Sequence, residues 1–345
     1  MEVPAFPWLE EEPEASRWVR LRSVFLHVTK ACNLRCMYCY FSANRPLPDE
    51  MNMQEFEKLW LDLVIVRPRR VIFTGGEPLL RPDILDLLRG LRKADAHHHM
   101  LRCLNTNGHL LTKEVARQLV GLVDELRVSV DALPARNDAL RGRGSFDAAM
   151  RALDLAYSVG FEPKALVTVT SDSFPDLEEL LCLLVGRHIT RINLNLFRPI
   201  GRGRRKPTWR VGLSQVDEVV RRAWERCRGT PQAVLLSGDT KSDDCVNCGI
   251  GQFANIMPNG DVFPCHVLVD RNFGCGNVRN QGFLAICRRS GFLGKLAALD
   301  FRELATRDSA LAVLEDPSTC LGDIDLSGRL LTALSTARDH PRTRK

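Results

Sequence analysis

Cysteine carries the first recognisable chemistry in this chain. Cys32, Cys36 and Cys39 stand in the stretch Thr29-Lys30-Ala31-Cys32-Asn33-Leu34-Arg35-Cys36-Met37-Tyr38-Cys39-Tyr40, separated by three residues and then by two. Soft thiolates so placed select an iron–sulfur cluster or zinc. A structural zinc site normally takes four ligands, with cysteines in pairs two to four apart. Three thiolates on one short loop suit the corner of a four-iron cube, where an iron without a protein ligand can take a small molecule instead. A second group, Cys245, Cys248 and Cys265, follows far downstream. Between them Asn259-Gly260 is a favoured two-residue turn, flanked by Phe253 to Met257 and by Val262-Phe263. A hairpin there folds Cys265 back towards Cys245 and Cys248. Cys103, Cys182 and Cys227 lie within apolar strand or helix patterns and read as buried small hydrophobes.

Repeated β-α units must position these groups. From about residue 24 short β-branched runs alternate with longer amphipathic segments, the pattern of a parallel sheet covered by helices. Six strands are expected, at Val24 to Thr29, Arg70 to Thr74, Leu101 to Thr106, Leu126 to Asp131, Lys164 to Thr170 and Arg191 to Phe197. Helical patterns at Met53 to Val66, Pro82 to Lys93, Lys113 to Leu122, Phe146 to Gly160 and Leu177 to Arg187 lie between them. Parallel sheets place functional groups at the carboxyl ends of their strands. The cysteine loop follows the first strand, and Thr74-Gly75-Gly76-Glu77-Pro78 closes the second. The paired glycines mark a strand end where the backbone must approach something closely.

The cysteine stretch resembles the signature of the radical S-adenosylmethionine (SAM) enzymes. Gly75-Gly76-Glu77-Pro78 resembles the second motif of that superfamily, which holds the amino group of the SAM methionine. The resemblance implies an α/β fold: a partial (β/α)6 TIM-like barrel with a small C-terminal domain of β-hairpin plus helix around an auxiliary cluster. On this reading residues 1–20 form an N-terminal extension, 21–210 the barrel, 211–240 a linker helix and 241–345 the auxiliary-cluster domain. The resemblance further implies a SAM-binding 4Fe-4S cluster on Cys32, Cys36 and Cys39, with SAM contacted by Tyr38, Gly75, Gly76, Glu77, Asn107, Ser129, Asp131 and Thr168. Plainer readings stand beside these: Asn107-Gly108 as a turn, Asp131 as a helix cap, Thr168 and Thr170 as ordinary strand residues. Ser145 reads as an N-cap, with Arg141 and Arg143 each able to hold a carboxylate. The later cysteines resemble the opening of the auxiliary domains called SPASM or, in shortened form, twitch. A second 4Fe-4S cluster is expected on Cys245, Cys248 and Cys265, with Cys320, Cys275 or an open iron in the fourth position.

Composition bounds the rest. The chain has 345 residues, 45% of them hydrophobic, 12 cysteines and a net charge of +6. Glu10, Glu11, Glu12 and Glu14 make the N-terminus acidic, without an apolar signal core, and no eighteen-residue apolar run suggests a membrane span. A cytoplasmic protein with reduced thiols is expected. The charge is too mild and too dispersed to indicate nucleic acid. The run His97-His98-His99 reads as an exposed loop, because adjacent side chains cannot converge on one ion.

The reaction implied by the resemblance is reductive cleavage of SAM, with an electron from a flavodoxin or ferredoxin-type donor, to a 5′-deoxyadenosyl radical that abstracts hydrogen from substrate. Two substrate classes are open. The loop Phe197-Arg198-Pro199-Ile200-Gly201-Arg202-Gly203-Arg204-Arg205-Lys206 reads as a flexible basic segment or as an anion site. With Arg143, Arg198 and Arg202 as substrate contacts, an acidic small molecule is favoured, such as a sugar or nucleoside acid that is decarboxylated, dehydrogenated or epimerised in antibiotic biosynthesis. The alternative is a ribosomally made peptide, disfavoured here because the roughly twenty residues before the first strand are too few for a leader-binding domain. A non-enzymatic metal scaffold is the third class, and would cleave no SAM.

Overall fold

The computed structural model describes residues 18–189, 191–227, 251–269 and 273–288, residues 291, 293 and 294, and the backbone of residues 234–237. Strands and helices alternate as β1 (Ser23–Thr29), α1 (Met53–Val66), β2 (Arg70–Gly75), α2 (Ile84–Ala94), β3 (Leu101–Thr106), α3 (Lys113–Leu119) and β4 (Glu125–Ser129). They continue as α4 (Pro134–Arg141), α5 (Ser145–Ser158), β5 (Lys164–Val169), α6 (Leu177–Gly186), β6 (Arg191–Leu196), α7 (Leu213–Arg226) and β7 (Val234–Ser237). The remaining elements are β8 (Phe253–Ile256), β9 (Asp261–Phe263), β10 (Gly276–Asn277), α8 (Val278–Gln281) and α9 (Phe283–Ile286). One ten-stranded sheet takes the order β10-β9-β8-β1-β2-β3-β4-β5-β6-β7. From β1 through β7 every pairing is parallel. The sheet does not close, so the α/β architecture is that of a partial barrel.

Strand alternation sorts the two faces. Val24, Leu26, Val28, Val71, Phe73, Leu126 and Val128 turn outward and join the core formed with Phe56, Trp60, Leu63, Leu87 and Leu91 of the helices. The ring pair Phe56–Trp60 stacks at 5.4 Å between centroids, and Trp60 meets Phe73 at 6.0 Å. The opposite face is largely polar: His27 and Thr29 on β1, Thr74, Asn105, Arg127, Ser129, Thr168, Asn193 and Asn195. Parallel sheets usually bury apolar residues on both faces. A polar inner face therefore marks a lumen built for polar contents.

The hairpin does more than the sequence suggests. β8 runs parallel to β1, Phe25 opposite Asn255, while β9 returns antiparallel to β8. The connection is longer than the expected two-residue turn: Met257 N–H donates to the Asp261 carbonyl at 2.8 Å, enclosing Pro258, Asn259 and Gly260. Gly260 takes φ +88°, the left-handed position such a loop needs. The hairpin tip docks beyond the cysteine loop, where Met51 N–H donates to the Pro258 carbonyl at 2.7 Å. Helix α9 is fixed to α1 by the Asp62 carboxylate, which accepts from the N–H groups of Phe283 at 2.6 Å and Leu284 at 3.1 Å.

Candidate cofactor and substrate site

The cysteine loop leaves β1 at Thr29 and is tied at its base. The Glu50 carboxylate accepts from Thr29 Oγ1, Lys30 N–H and Leu47 N–H at 3.1, 2.7 and 2.9 Å. Across the loop Cys32 N–H donates to the Asn44 carbonyl at 3.0 Å and Asn44 N–H to the Lys30 carbonyl at 2.9 Å. Cys32, Cys36 and Cys39 are all half-buried on this one loop. Among the described residues no three His, Cys, Asp or Glu side chains could hold one metal ion. A cluster whose irons each take one thiolate requires no such convergence. Burial pushes the Cys32 thiol up to about 11 and raises Cys36 as well, with Arg141 and Arg202 pulling Cys36 the other way. Cys32, Cys36 and Cys39 would hold the cluster as thiolates, and the positive charge of its iron would offset that rise.

Gly75 and Gly76 approach the protein itself. A Cβ on Gly75, which has φ +133°, would lie 2.4 Å from the Thr29 carbonyl oxygen, and one on Gly76 would lie 1.9 Å from that of Ala31. The glycines let the second motif pack directly beneath the cysteine loop, where Gly76 and Glu77 donate N–H bonds of 2.8 Å to the Thr29 and Ala31 carbonyls. Glu77 is 1% exposed and fully engaged, accepting from Thr106 Oγ1 at 2.8 Å, Asn107 N–H at 2.7 Å and Leu79 N–H at 3.2 Å. Burial raises its carboxyl and these donors oppose the rise. Asn107 in turn donates through Nδ2 to Asn33 Oδ1 at 2.7 Å. Glu77 and Asn107 therefore join β2, β3 and the cysteine loop.

Asp131 and Tyr38 also meet each other rather than standing open. Asp131 Oδ2 accepts from the Tyr38 hydroxyl and from Arg141 Nη1 at 2.9 Å, and Oδ1 accepts from Thr168 N–H at 2.7 Å. Arg141 Nη1 also reaches the Tyr38 oxygen at 2.6 Å. The helix-cap reading of Asp131 gives way: its own N–H donates to Asn137 Oδ1 at 2.9 Å and its side chain anchors the loop. Arg141 does hold a carboxylate, and it is that of Asp131. Ser129 and Thr168 are half-buried on the inner face at the ends of β4 and β5, whereas Thr170 is buried in a local turn with Ser173.

The basic loop after β6 is mostly structural. Arg202 Nε donates to the Cys36 carbonyl at 2.9 Å and Nη1 to that of Ala43 at 2.7 Å, while its N–H reaches the Cys39 carbonyl at 3.0 Å. A Cβ on Gly201, at φ +56°, would lie 2.2 Å from the Tyr40 carbonyl oxygen. Expected as a substrate contact, Arg202 is a strap across the cysteine loop. Arg143 is exposed on the turn before α5 and Arg198 is half-buried.

Of the second cysteine group, Cys265 is half-buried after β9; Cys245, Cys248 and Cys320 lie outside the described residues. Cys275, the rival to Cys320, packs against the apolar core, and burial pushes its thiol up to about 12. Cys182 and Cys227 are not separately buried: their sulfurs lie 3.0 Å apart where α6 meets the end of α7. Sequence reasoning missed His27, Asn255 and His266, which sit together near Tyr40, the residue after Cys39. Burial pulls His27 down to about 3, a neighbouring His266 adding to the shift and Asn255 opposing it.

Comparison with known proteins agrees with this geometry. Residues 26–181 match the family model of the radical SAM superfamily, and residues 245–311 match the SPASM iron-sulfur cluster-binding domain. Mycofactocin maturase MftC of Mycobacterium tuberculosis is 31% identical over 300 residues, covering 82% of this chain and 72% of that protein. The AdoMet-dependent heme synthase of Oleidesulfovibrio alaskensis is 28% identical over 301 residues, covering 79% and 75%. In fold, the chain is similar to Streptococcus suis SuiB bound to S-adenosylmethionine, with a TM-score of 0.66, 16% identity and coverage of 81% and 68%. No described helix is long and apolar enough to cross a membrane. With its cysteine triad on the first strand's loop, its second motif packed beneath and its cofactors a 4Fe-4S cluster, SAM and a further iron–sulfur cluster, the chain belongs to the radical SAM superfamily.

Proposed function

We propose that this protein is a peptide-modifying radical SAM maturase. The observation that carries the reading is its likeness to a maturase across 82% of its length. The geometry of the basic loop lends support, because Arg202, one of the arginines that favoured an acidic metabolite, donates to the carbonyls of Cys36 and Ala43. The preference for a small acid is therefore reversed in favour of the peptide.

In this reading Cys32, Cys36 and Cys39 hold the SAM-binding cluster, and Cys265 belongs to the ligand set of the auxiliary cluster with Cys245, Cys248 and Cys320. When bound, the cluster and SAM supply the hard step, in which one electron splits SAM into methionine and a 5′-deoxyadenosyl radical that takes hydrogen from the substrate. The chain's own residues hold geometry. Tyr38, Asp131 and Arg141 fix the loop from one side, Arg202 from the other, and Glu77 from below. Ser129 and Thr168 face the lumen beside them and offer hydroxyls to SAM. None of these groups moves a proton in the initial step.

The test uses cluster-loaded, reduced protein with SAM and short peptides prepared with deuterated residues, the first candidates being any short reading frames found beside its gene. Deuterium recovered in 5′-deoxyadenosine, in proportion to modified peptide, is the expected result. Formation of 5′-deoxyadenosine without deuterium, at a rate the peptide does not alter, would overturn the reading.

A further inference from the structure

One cation is built into the cysteine loop without a counter-ion. Arg202 lies in the short 3-10 helix Gly201–Arg205 that follows β6. Its guanidinium donates to the Cys36 and Ala43 carbonyls at 2.9 and 2.7 Å, and its N–H to the Cys39 carbonyl at 3.0 Å. These acceptors are neutral, and among the described residues no carboxylate lies within ion-pair distance of Arg202. Arginine keeps its charge throughout the working pH range.

The other cations of the loop are cancelled or screened. Arg141 lies 2.9 Å from the Asp131 carboxylate, and the exposed Arg35 and Arg45 face water. Arg141 and Arg202 both pull the Cys36 thiol down against burial, but Asp131 pushes it back, and no carboxylate is paired with Arg202 to do the same. Glycines on either side hold Arg202 in place. A Cβ on Gly201 would lie 2.4 Å from the Cys39 carbonyl oxygen, and one on Gly203 2.7 Å from the Phe197 ring. Phe197 packs with Tyr38 and Leu140, and Cys36 lies against that cluster. The Gly-Arg-Gly run thus seats a permanent charge against the stretch from Cys36 to Ala43.

A strap made only of hydrogen bonds has no need of that charge. A half-buried guanidinium facing neutral carbonyls bears a desolvation penalty that a carboxamide donor would not. The thiolates beside it supply the reason. A four-iron core on three thiolates is net negative, and reduction adds a further negative charge. A cation fixed nearby in a partly desolvated loop stabilises the reduced form more than the oxidised one, and so raises the potential at which the electron is accepted.

We propose that Arg202 is the counter-charge of the triad's cluster, a positioning residue whose guanidinium raises the cluster's reduction potential as well as strapping its loop. This rests on Cys32, Cys36 and Cys39 being the ligands of that cluster, as read above, and is independent of the substrate. The step it tunes is the uptake of a single electron from a low-potential donor, in which no bond forms or breaks.

The test is a potentiometric titration of anaerobic, cluster-loaded protein with dithionite and viologen mediators, read by electron paramagnetic resonance. The triad's signal is the one that changes shape when SAM is added to a reduced sample. Arg202→Gln keeps a side-chain donor and removes the charge. At the potential where half of the parent's cluster is reduced, its reduced-to-oxidised ratio should fall about tenfold, for one electron a shift of about 59 mV. Arg202→Lys keeps the charge and loses the planar fork, so its ratio should stay within about threefold of the parent, even where it melts as low as Arg202→Gln. An unchanged ratio in Arg202→Gln, or equal falls in the two variants, would overturn the proposal, because a strap without an electrostatic role follows the hydrogen bonds and not the charge. Loss of the triad's signal from either variant would also overturn it, leaving Arg202 a structural strap. A SAM-sensitive signal that survives in the variant with Cys32, Cys36 and Cys39 all replaced by alanine would sink the ligand assignment instead.

Discussion

The mouth of the barrel and the wall between β1 and β8 both bury polar side chains, but among the described residues only those of the mouth form a closed network of hydrogen bonds. Around the cysteine loop, Asp131 engages Tyr38, Arg141 and Thr168, Glu77 engages Thr106, Asn107 and Leu79, and Arg202 engages two loop carbonyls. On the wall, His27 and Asn255 interact with each other, but no strong hydrogen bond ties either to a third side chain among the described residues. A closed network fixes a shape before anything binds, as a loop that must present thiolates to a rigid cluster requires. The contrast also explains why several residues expected to touch SAM are committed to each other: in the mouth, positioning the loop occupies them.

Breaking the closed network should produce the largest effect. Arg141 and Asp131 are 8% and 0% exposed at their side chains, and removing one partner of such a pair leaves a buried charge uncompensated. Arg141→Met should therefore cost about 3–5 kcal/mol, read as a lower denaturation midpoint. A loss of less than about 1 kcal/mol would mean that the mouth is as loosely committed as the wall.

A smaller effect is expected from the far end of the lumen, which is also closed. Burial alone would raise the Glu125 carboxyl, but Arg127, Lys164 and Arg191 outweigh it and hold the group at about 2. A carboxyl lowered on folding contributes stability that is present above its unfolded value, near 4.3, and is lost as pH falls towards the folded one. The parent should lose about 2–3 kcal/mol between pH ~4.5 and ~2 from this group. Glu125→Gln should lack that part of the acid transition and be weaker at neutral pH. Identical acid profiles for the two proteins would remove the base network from the comparison.

Much of the scaffold was legible because periodicity and turn chemistry are local. The strand Leu101–Thr106 and the helix Met53–Val66 are found at the expected bounds, and the other expected strands and helices are displaced by a few residues at their ends. Helix α4 escaped notice because Pro134-Ala135-Arg136-Asn137-Asp138 is short and polar, with little apolar stripe to betray it. The pairing of β8 with β1 joins segments more than two hundred residues apart, a contact that no local pattern records. The motif glycines were readable as a close approach, but not that the approached group is the backbone of Thr29 and Ala31. Charge misled at Arg202, since an arginine that straps carbonyls looks in sequence like one that waits for an anion. His27 and Asn255 carry no sequence signal, because β1 and β8 become neighbours only in the fold.

The account rests on the triad being the seat of a cluster distinct from that of the later cysteines. Iron and sulfide analysis of anaerobically prepared protein, compared with a variant in which Cys32, Cys36 and Cys39 are all alanine, tests this most directly. The account predicts about eight irons per chain falling to about four. A variant that keeps the parent's full iron content would contradict it.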